Sequence, residues 1–252
     1  MTSRIAIAHR GHKVAAPEQT MTAFALAVDL GATMIECDLR FSRDSVPLLL
    51  HDRLLNRTTN GTGPVAEHNW SEVAKLDAGS WFDPRFAGER IPRLDDLFAF
   101  AAARGIALCI EAKGAPGAEN ARAALVAAQG IAARGRLDVD VVASFDHQAL
   151  LAAAAAVPGL RTAPDRLPER GPSTAAELIA QAHAAGARII QHHFADLDAA
   201  VVAEVQAAGI DIWAWPPANA AEAAAAFASG AIGLMGDDVA AIMAVMAANA
   251  TD

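Results

Sequence analysis

Short apolar segments that end in polar residues alternate along this chain with longer segments rich in alanine. In the first apolar segment, residues 5–8 run directly into His9-Arg10-Gly11. This arrangement is typical of a buried parallel strand that delivers polar side chains at its carboxyl end. Several alanine-rich segments end at a glycine, the residue favoured just beyond the end of a helix. The pattern therefore predicts strands and helices that follow one another in alternation.

Eight strands and eight helices follow from this pattern. The predicted strands are 5–8, 34–40, 106–111, 139–145, 160–163, 188–191, 210–215 and 232–235, and a further short apolar run covers 46–52. The predicted helices are 21–30, 95–104, 119–134, 147–157, 174–185, 198–208, 219–228 and a last one that ends near residue 249. Helices of this length between strands imply parallel crossovers, and eight β/α units close as an α/β barrel of the TIM type.

Residues 53–90 interrupt this alternation. The periodicity fails there, and turn-forming residues collect, most densely at positions 60–64. The segment is nevertheless too aromatic for a disordered linker, since it contains Trp70, Trp81, Phe82 and Phe86. We therefore expect a single barrel domain over residues 1–252, with an ordered insertion at about 53–90 that lies over one end of the barrel.

Composition narrows the range of possible partners. The chain has 252 residues, of which 54% are apolar, so it can bury a large core. Its formal net charge of −9 argues against nucleic-acid binding, which requires a basic surface. An anionic substrate is not excluded, because local basic residues decide that. No apolar run approaches the roughly 18 residues of a membrane span.

The start of the chain and its two cysteines bear on the cellular compartment. The first residues lead directly into the first predicted strand, which leaves no room for a signal peptide. Cys37 is expected to point away from the barrel interior and Cys109 into it, because side chains alternate along each strand. A disulfide between them is therefore not expected. The sequence thus predicts a reduced, cytoplasmic enzyme.

Charged residues gather at the ends of the first three predicted strands. Because side chains alternate along a strand, Glu36 and Asp38 share one face, as do Glu111 and Lys113. An isolated Glu-x-Asp pair on a strand is usually exposed to solvent. Several carboxylates on buried strands need a compensating partner, however, because burying an unpaired charge is costly. Together with the polar end of the first strand, these residues predict a site for a metal ion and an anion.

Five separated motifs identify a family that this chain resembles. They are His9-Arg10-Gly11, Pro17-Glu18-Gln19-Thr20, Glu36-x-Asp38, His51-Asp52 and Glu111-x-Lys113. In this order they strongly resemble the motifs of the glycerophosphodiester phosphodiesterases. The likeness is dense through Lys113 and thin afterwards. Gln19 stands where the family usually has Asn, and Asp237-Asp238 lies in place of its common Thr-Asp near the last strand.

The resemblance implies metal-dependent hydrolysis of glycerophosphodiesters to glycerol 3-phosphate and an alcohol. It also implies that Glu36, Asp38 and Glu111 hold one divalent cation and that His9 and His51 act as general acid and base. Three oxygen ligands and no thiol favour Mg²⁺ or Ca²⁺. The physical case agrees, because a cation withdraws charge from the phosphoryl group and imidazoles exchange protons near neutral pH.

Four further residues are candidate contacts for the substrate or its phosphate. Arg10 and Lys113 would supply fixed positive charge, and Phe145 and Trp213 would form part of the pocket wall. Two of these interpretations have an alternative. Lys113 could simply neutralise Glu111 as a structural ion pair, and Trp213 could fill the core.

Two other functions stay open on the sequence alone. Aromatic residues of the predicted insertion could form an apolar approach surface, which cleavage of lysophospholipids or other lipid phosphodiesters would need. A catalytically silent barrel could also bind a polyol phosphate without turnover. The expected partner is a small-molecule diester, with no nucleic acid and no stable membrane anchor. The alcohol moiety, the native metal, the attacking nucleophile and the oligomeric state do not follow from the sequence.

Overall fold

The computed structural model of the chain describes residues 4–115, 117–168 and 171–249. Nine strands lie within these residues. They are β1 (Ile5–His9), β2 (Met34–Phe41), β3 (Pro47–Leu49), β4 (Ala107–Ala112), β5 (Val141–Ser144), β6 (Thr162–Pro164), β7 (Ile189–His193), β8 (Asp211–Trp215) and β9 (Gly233–Gly236).

Nine α-helices lie within the same residues. They are α1 (Met21–Asp29), α2 (Trp70–Val73), α3 (Leu94–Arg104), α4 (Ala118–Ala133), α5 (His147–Ala156), α6 (Ala175–Ala184), α7 (Ala199–Ala207), α8 (Ala220–Ala228) and α9 (Val239–Ala248). Short 3₁₀ turns occur at Val65–Glu67, Pro84–Phe86 and Phe194–Asp196. Among the described helices, none has both the length and the apolar character that crossing a bilayer requires.

Eight of the described strands form a parallel sheet that curves into a barrel. Their order is β6-β5-β4-β2-β1-β9-β8-β7, and each paired neighbour in that order is parallel. The two end strands meet at a parallel bridge between Asp165 and Gln191, so the ring nearly closes. Strand β3 lies outside this order and pairs antiparallel with the end of β2. The predicted eight-stranded α/β barrel is confirmed.

The predicted strand boundaries are less accurate than the strand order. Strand β5 begins at residue 141, although the apolar run begins at 139. The backbone amides of Val139 and Asp140 both donate to the Arg136 carbonyl, so the chain is still turning there. The Asp140 carboxylate also accepts from the Leu108 amide at 2.9 Å. Local polar contacts of this kind compete with strand pairing and delay the start of the strand.

Two apolar clusters join the barrel wall to the surrounding helices. One packs α3, α4 and α5 against β2, β4 and β5, and the other packs α6 to α9 against β7, β8 and β9. The many alanines keep these interfaces thin, so the helices lie close to the sheet. Cys37 belongs to the first cluster and Cys109 lies inside the barrel, and both thiols are free and buried, as the sequence predicts.

A third apolar cluster fills the barrel interior. Its buried members are Ile7, Met34, Cys109, Val141, Ala143, Ala163, Ile189, Trp213 and Met235. The ring of Trp213 needs the space left by Gly233, its partner on the neighbouring strand, because a Cβ on Gly233 would lie 2.5 Å from Trp213 Cδ1. The cluster closes the barrel below the polar residues at the carboxyl ends of the strands, as is usual in this fold.

Residues 53–90 form an ordered segment with a small core of its own. Its apolar side chains pack with residues that flank the segment, and the buried members of this cluster are Leu48, Leu50, Leu55, Val65, Val73, Ala78 and Ile91. The Asp77 carboxylate fixes the chain further along by accepting hydrogen bonds from the amides of Gly79, Ser80 and Gly88. These bonds hold the pKa of Asp77 well below its usual range.

The contact between Gly233 and Trp213 leads to a stability prediction. Gly233→Ala should lower the free energy of unfolding by about 1–3 kcal/mol, because the added methyl group overpacks a filled interior. The measurement is urea unfolding followed by tryptophan fluorescence and by circular dichroism. An unchanged unfolding midpoint would show that Trp213 does not occupy the space beside Gly233.

Candidate active site

The carboxyl ends of β1, β2 and β4 meet around one open cavity. In the parallel register His9 is the partner of Glu36, and Asp38 is the partner of Glu111. The cavity has a volume of about 310 Å³. Its lining residues are His9, Arg10, Glu36, His51, Glu111, Lys113, Ala143, Phe145, Asp165, Gln191, Trp215 and Met235. Polar side chains that the sequence assigned to strand ends therefore converge at one end of the barrel.

Three carboxylates lie together at this site, and two of them, Glu36 and Glu111, line the cavity. Glu36, Asp38 and Glu111 each place an oxygen within 4.8 Å of the other two. Burial, together with the neighbouring carboxylates, raises the pKa of Glu36, and burial also raises the pKa of Glu111. Burial disfavours the charged form of Asp38 as well, but Lys113 and Arg10 beside it hold its pKa below the usual range. Two cations thus face three carboxylates.

The carboxylate cluster fits a divalent cation. Among the described residues, Glu36 Oε1 is buried and has no hydrogen-bond partner. Asp38 Oδ1 also has none, although the Lys113 ammonium lies 3.3 Å away. Buried carboxylate oxygens without partners are costly, and a bound cation would satisfy them. Because every donor in the cluster is an oxygen, the site suits a hard cation.

A sharp turn after β1 brings Arg10 against the carboxylates. The backbone of Arg10 is left-handed, with a φ of 60°, and its amide donates to Glu36 Oε2 at 3.0 Å. Its Nε lies 3.1 Å from Asp38 Oδ2. Gly11 continues the turn with a φ of 88°, and a Cβ there would lie 2.7 Å from the Ala23 Cβ. The close approach of this turn to α1 therefore requires glycine after Arg10.

An acidic side chain from the end of the barrel orients His9. Asp237 follows β9, and its Oδ1 lies 2.7 Å from His9 Nδ1 and 2.8 Å from the Lys13 ammonium. Because a carboxylate only accepts hydrogen bonds, Nδ1 carries the proton of the neutral ring and Nε2 keeps its lone pair. Burial lowers the pKa of His9 to about 4. His9 is therefore a neutral imidazole at pH 7.

His51 also lines the cavity and lies at the end of a chain of ion pairs. Its Nδ1 donates to Asp52 Oδ1 at 2.7 Å, and Arg57 donates to both Asp52 oxygens. Arg57 also donates to both oxygens of Glu18, and Glu18 in turn accepts from Arg10. The hydrogen bond from Arg57 lowers the pKa of Asp52 to about 2. The segment 53–90 is thereby tied to His51 and, through Glu18, to Arg10.

The structure brings Arg10, Lys113 and Phe145 to the cavity, but not Trp213. The expectation that Trp213 contacts substrate needs correction, because its side chain is fully buried in the barrel interior. Trp215, two positions later on the same face of β8, lines the cavity instead and meets the Phe145 ring edge-on at 6.0 Å. Both tryptophans point into the barrel, but only Trp215, which is nearer the carboxyl end of the strand, reaches the cavity.

Lys113 both neutralises carboxylates and faces the cavity. Its ammonium lies 2.6 Å from Glu111 and 3.3 Å from Asp38. Burial alone would favour the neutral amine, but these two carboxylates raise the pKa of Lys113 above its usual value. The side chain therefore stays charged where it lines the cavity, so the structural ion pair does not exclude contact with an anion.

Sequence reasoning gave no role in the site to Gln19 or Asp237. Gln19 Nε2 donates to Asp38 Oδ2 at 2.7 Å, and Asp237 holds His9. Both positions depart from the family pattern, yet both lie directly against candidate catalytic or metal-binding side chains. The position of Asp237 immediately after the last strand was the signal that could have singled it out.

Comparison with known sequences identifies the family. The sequence model of the glycerophosphoryl diester phosphodiesterase family matches residues 9–241. The Bacillus subtilis protein YhdW, whose name assigns it glycerophosphodiester phosphodiesterase activity by inference, is 34% identical over 234 residues, which are 92% of this chain and 93% of YhdW. The chain belongs to the glycerophosphoryl diester phosphodiesterase family and is a phosphodiesterase that acts on glycerophosphodiesters.

Solved structures share the same barrel. A glycerophosphodiester phosphodiesterase from Agrobacterium tumefaciens is 29% identical, with a TM-score of 0.81 over 97% of this chain and 100% of that one. An Oleispira antarctica phosphodiesterase, solved in complex with the product sn-glycerol-3-phosphate, is 25% identical, with a TM-score of 0.85 over 96% of both chains. The shared barrel over nearly the full length of each chain supports the family assignment.

The burial of His9 leads to a prediction about pH and stability. Its pKa is about 4 when folded, below the ordinary value of 6.5, so the unfolded chain binds more protons between these values. The stabilisation is complete above about pH 6.5 and is lost as the pH falls towards about 4. Between about pH 6.5 and about pH 4, the wild type should lose at most about 3 kcal/mol more of its free energy of unfolding than His9→Gln does. The variant has no imidazole to protonate at this position. Urea unfolding of the metal-free proteins at several pH values measures the difference, and parallel curves would contradict it.

Proposed function

We propose that this phosphodiesterase binds one divalent cation through Glu36, Asp38 and Glu111, and that His9 and His51 are its acid–base pair. The observation that carries the proposal is the buried carboxylate cluster, whose oxygens lie within 4.8 Å of one another below the two histidines. The products would be glycerol 3-phosphate and an alcohol. The glycerol 3-phosphate bound to the Oleispira antarctica relative supports this choice of product.

The cation and the basic side chains have complementary tasks in this proposal. When bound, a divalent cation supplies Lewis-acid polarisation of a phosphoryl oxygen, and the all-oxygen donor set favours Mg²⁺ or Ca²⁺. Arg10 and Lys113 line the same cavity and would hold the remaining anionic oxygens of the diester. A phosphodiester repels nucleophiles because its oxygens are negative. Fixed positive charge beside it therefore stabilises the transition state more than it would in water.

The two histidines line the same cavity and have the same tautomer. Asp237 accepts from Nδ1 of His9, and Asp52 accepts from Nδ1 of His51, so each neutral ring presents Nε2 as its basic nitrogen. In the proposed reaction one imidazole takes the proton of the attacking oxygen. The other, in its protonated form, gives a proton to the departing alcohol oxygen. Asp237 and Asp52 would orient the rings and stabilise each imidazolium as it forms.

The aromatic side chains of the segment 53–90 give little support to lipid cleavage. Trp81 meets Phe82 edge-on, and Phe82 meets Phe86 in the same way, each at 5.7 Å between ring centroids. Phe86 lines a separate cavity, which shares none of its lining residues with the catalytic one. We therefore propose a small, water-soluble glycerophosphodiester as the substrate of a single-domain, cytoplasmic enzyme. The two free, buried cysteines accord with a reducing compartment.

Removal of single carboxylate ligands tests the metal site. Glu36→Gln, Asp38→Asn and Glu111→Gln should each lower kcat/KM by more than about a hundredfold, because each loses charge stabilisation worth several kcal/mol. Each change conserves volume, so the fold should persist. Binding of Mg²⁺ or Ca²⁺ by calorimetry should weaken in parallel.

Glu204→Gln is the matched control, because Glu204 is an exposed residue of α7. It should retain both metal binding and activity. Wild-type activity that survives exhaustive chelation would refute the metal assignment, whatever the variants do.

Removal of the two imidazoles tests the acid–base assignment. His9→Ala and His51→Ala should each reduce kcat by about 10²–10⁴-fold. The double variant should lose little more than either single one, because groups that act in one step are not additive. A substrate with a good leaving group, such as a p-nitrophenyl diester, should partly rescue the variant that lacks the acid. Losses that simply multiply would contradict a shared step.

A further inference from the structure

A second cavity lies beside the catalytic one and is rich in arginine. Its volume is about 300 Å³. Four guanidinium groups surround it, and we call the cavity the arginine groove after these residues: Arg40, Arg43, Arg53 and Arg122. Phe41, Pro64 and Val65 provide apolar parts of its wall. The volume is at the lower end of the range for small-molecule sites.

The arginine groove adjoins the catalytic site at Lys113, which lines both cavities. Arg40 Nε donates to the backbone carbonyl of His51 at 2.8 Å, which joins one wall of the groove to a proposed catalytic residue. The groove lies between the end of β2, the start of α4 and the segment 53–90. A diester held at Lys113 could therefore extend one of its two substituents into it.

Basic side chains outnumber acidic ones around the groove. Within the part of the chain that the structure describes, Arg40, Arg53 and Arg122 have no carboxylate oxygen within 4.0 Å, although more distant carboxylates still attract the Arg40 guanidinium. Arg122 is instead held over the Phe41 ring at 4.1 Å. Arg43 lies 3.9 Å from Glu72, which is the limit of an ion pair. The planar guanidinium group of arginine can donate two parallel hydrogen bonds to a carboxylate or a phosphate. Three guanidinium groups of the groove, among the residues that the structure describes, have no carboxylate within ion-pair distance.

Two carboxylates, Glu67 and Glu119, also line the groove and compensate part of this charge, but the four arginines and Lys113 outnumber them. Acidic residues outnumber basic ones along the whole chain, 29 against 20, so chance would favour carboxylates around any cavity. Arginines elsewhere in the described chain are commonly paired, as Arg136 is with Asp140 and Arg134 with Asp95. The excess of arginine side chains around one concavity thus suits an anionic ligand.

We propose that the arginine groove binds an anionic group on the alcohol half of the substrate, a carboxylate or a phosphate monoester. This inference rests on the proposed function of the neighbouring site. The glycerol half is the same in every substrate and carries only hydroxyl groups. The guanidinium groups can therefore distinguish one substrate from another only by the charge on the alcohol half. The enzyme therefore prefers diesters whose alcohol is anionic to diesters of ethanolamine or choline, whose alcohol carries only positive charge.

Two substrates that differ by one carboxylate test the proposal. Glycerophosphoserine is glycerophosphoethanolamine with a carboxylate added, so the ratio of their dissociation constants isolates that group. Calorimetry on the His51→Ala protein with Mg²⁺ measures binding while turnover is slowed about 10²–10⁴-fold, and the hydrogen bond from Arg40 is kept because its acceptor is the His51 backbone carbonyl. We expect glycerophosphoserine to bind about tenfold more tightly, as for a hydrogen bond to a charged group. The advantage should shrink as salt is added.

Variants of the groove assign the discrimination to its arginines. Arg53→Gln and Arg122→Gln, each added to the His51→Ala protein, should bring the ratio towards one. Arg188→Gln is the matched control, since Arg188 is an exposed arginine just before β7, at the amino end of the barrel strands. It removes the same charge far from the groove and should leave the ratio unchanged. Circular dichroism verifies that each variant is folded.

The outcomes separate this inference from the proposed function. A ratio near one before any groove substitution, or a ratio that Arg53→Gln and Arg122→Gln leave unchanged, overturns the groove proposal alone. Wild-type protein that shows the expected ratio but hydrolyses neither diester overturns the proposed chemistry and leaves the groove assignment in place. Protein that binds neither diester overturns both.

Discussion

The site depends on keeping three carboxylates together in a buried place despite their mutual repulsion. Parallel strand register fixes Asp38 beside Glu111 and brings Glu36 into the same cluster, so the backbone sheet imposes the proximity. Burial then makes each negative charge costly. Arg10 and Lys113 offset part of that cost. Among the described residues, Glu36 Oε1 and Asp38 Oδ1 nevertheless stay buried without a hydrogen-bond partner. A bound cation is the simplest group that would satisfy them.

Other features of the site follow from the same constraint. The strained turn at Arg10 exists because its amide and its guanidinium must both reach the cluster. His9 and His51 line the same cavity, and each is held by a carboxylate of its own, Asp237 and Asp52, outside the central cluster. Arg57 links Asp52 to the segment 53–90. That segment thereby helps to hold the active site in place, although none of its residues lines the catalytic cavity.

The apolar core of the barrel and the charged residues of the active site lie in different layers. The apolar cluster that includes Trp213 fills the interior, and the charged residues and Trp215 line the cavity at the carboxyl ends of the strands. Positive charge is concentrated in the arginine groove, although the chain as a whole is acidic. A local field of this kind attracts small anions, whereas the net charge disfavours association with anionic polymers and surfaces.

Local sequence pattern determined the class of fold and the position of most candidate site residues. Strands and helices are set by short-range periodicity, so the alternation along the chain predicted the barrel, and alternation within β2 placed Glu36 and Asp38 on one face. Only the tertiary structure decided that Asp237 holds His9 across 228 positions and that Trp215 reaches the cavity in place of Trp213. Such contacts depend on how the strands are staggered when the ring closes, and no local period encodes that stagger.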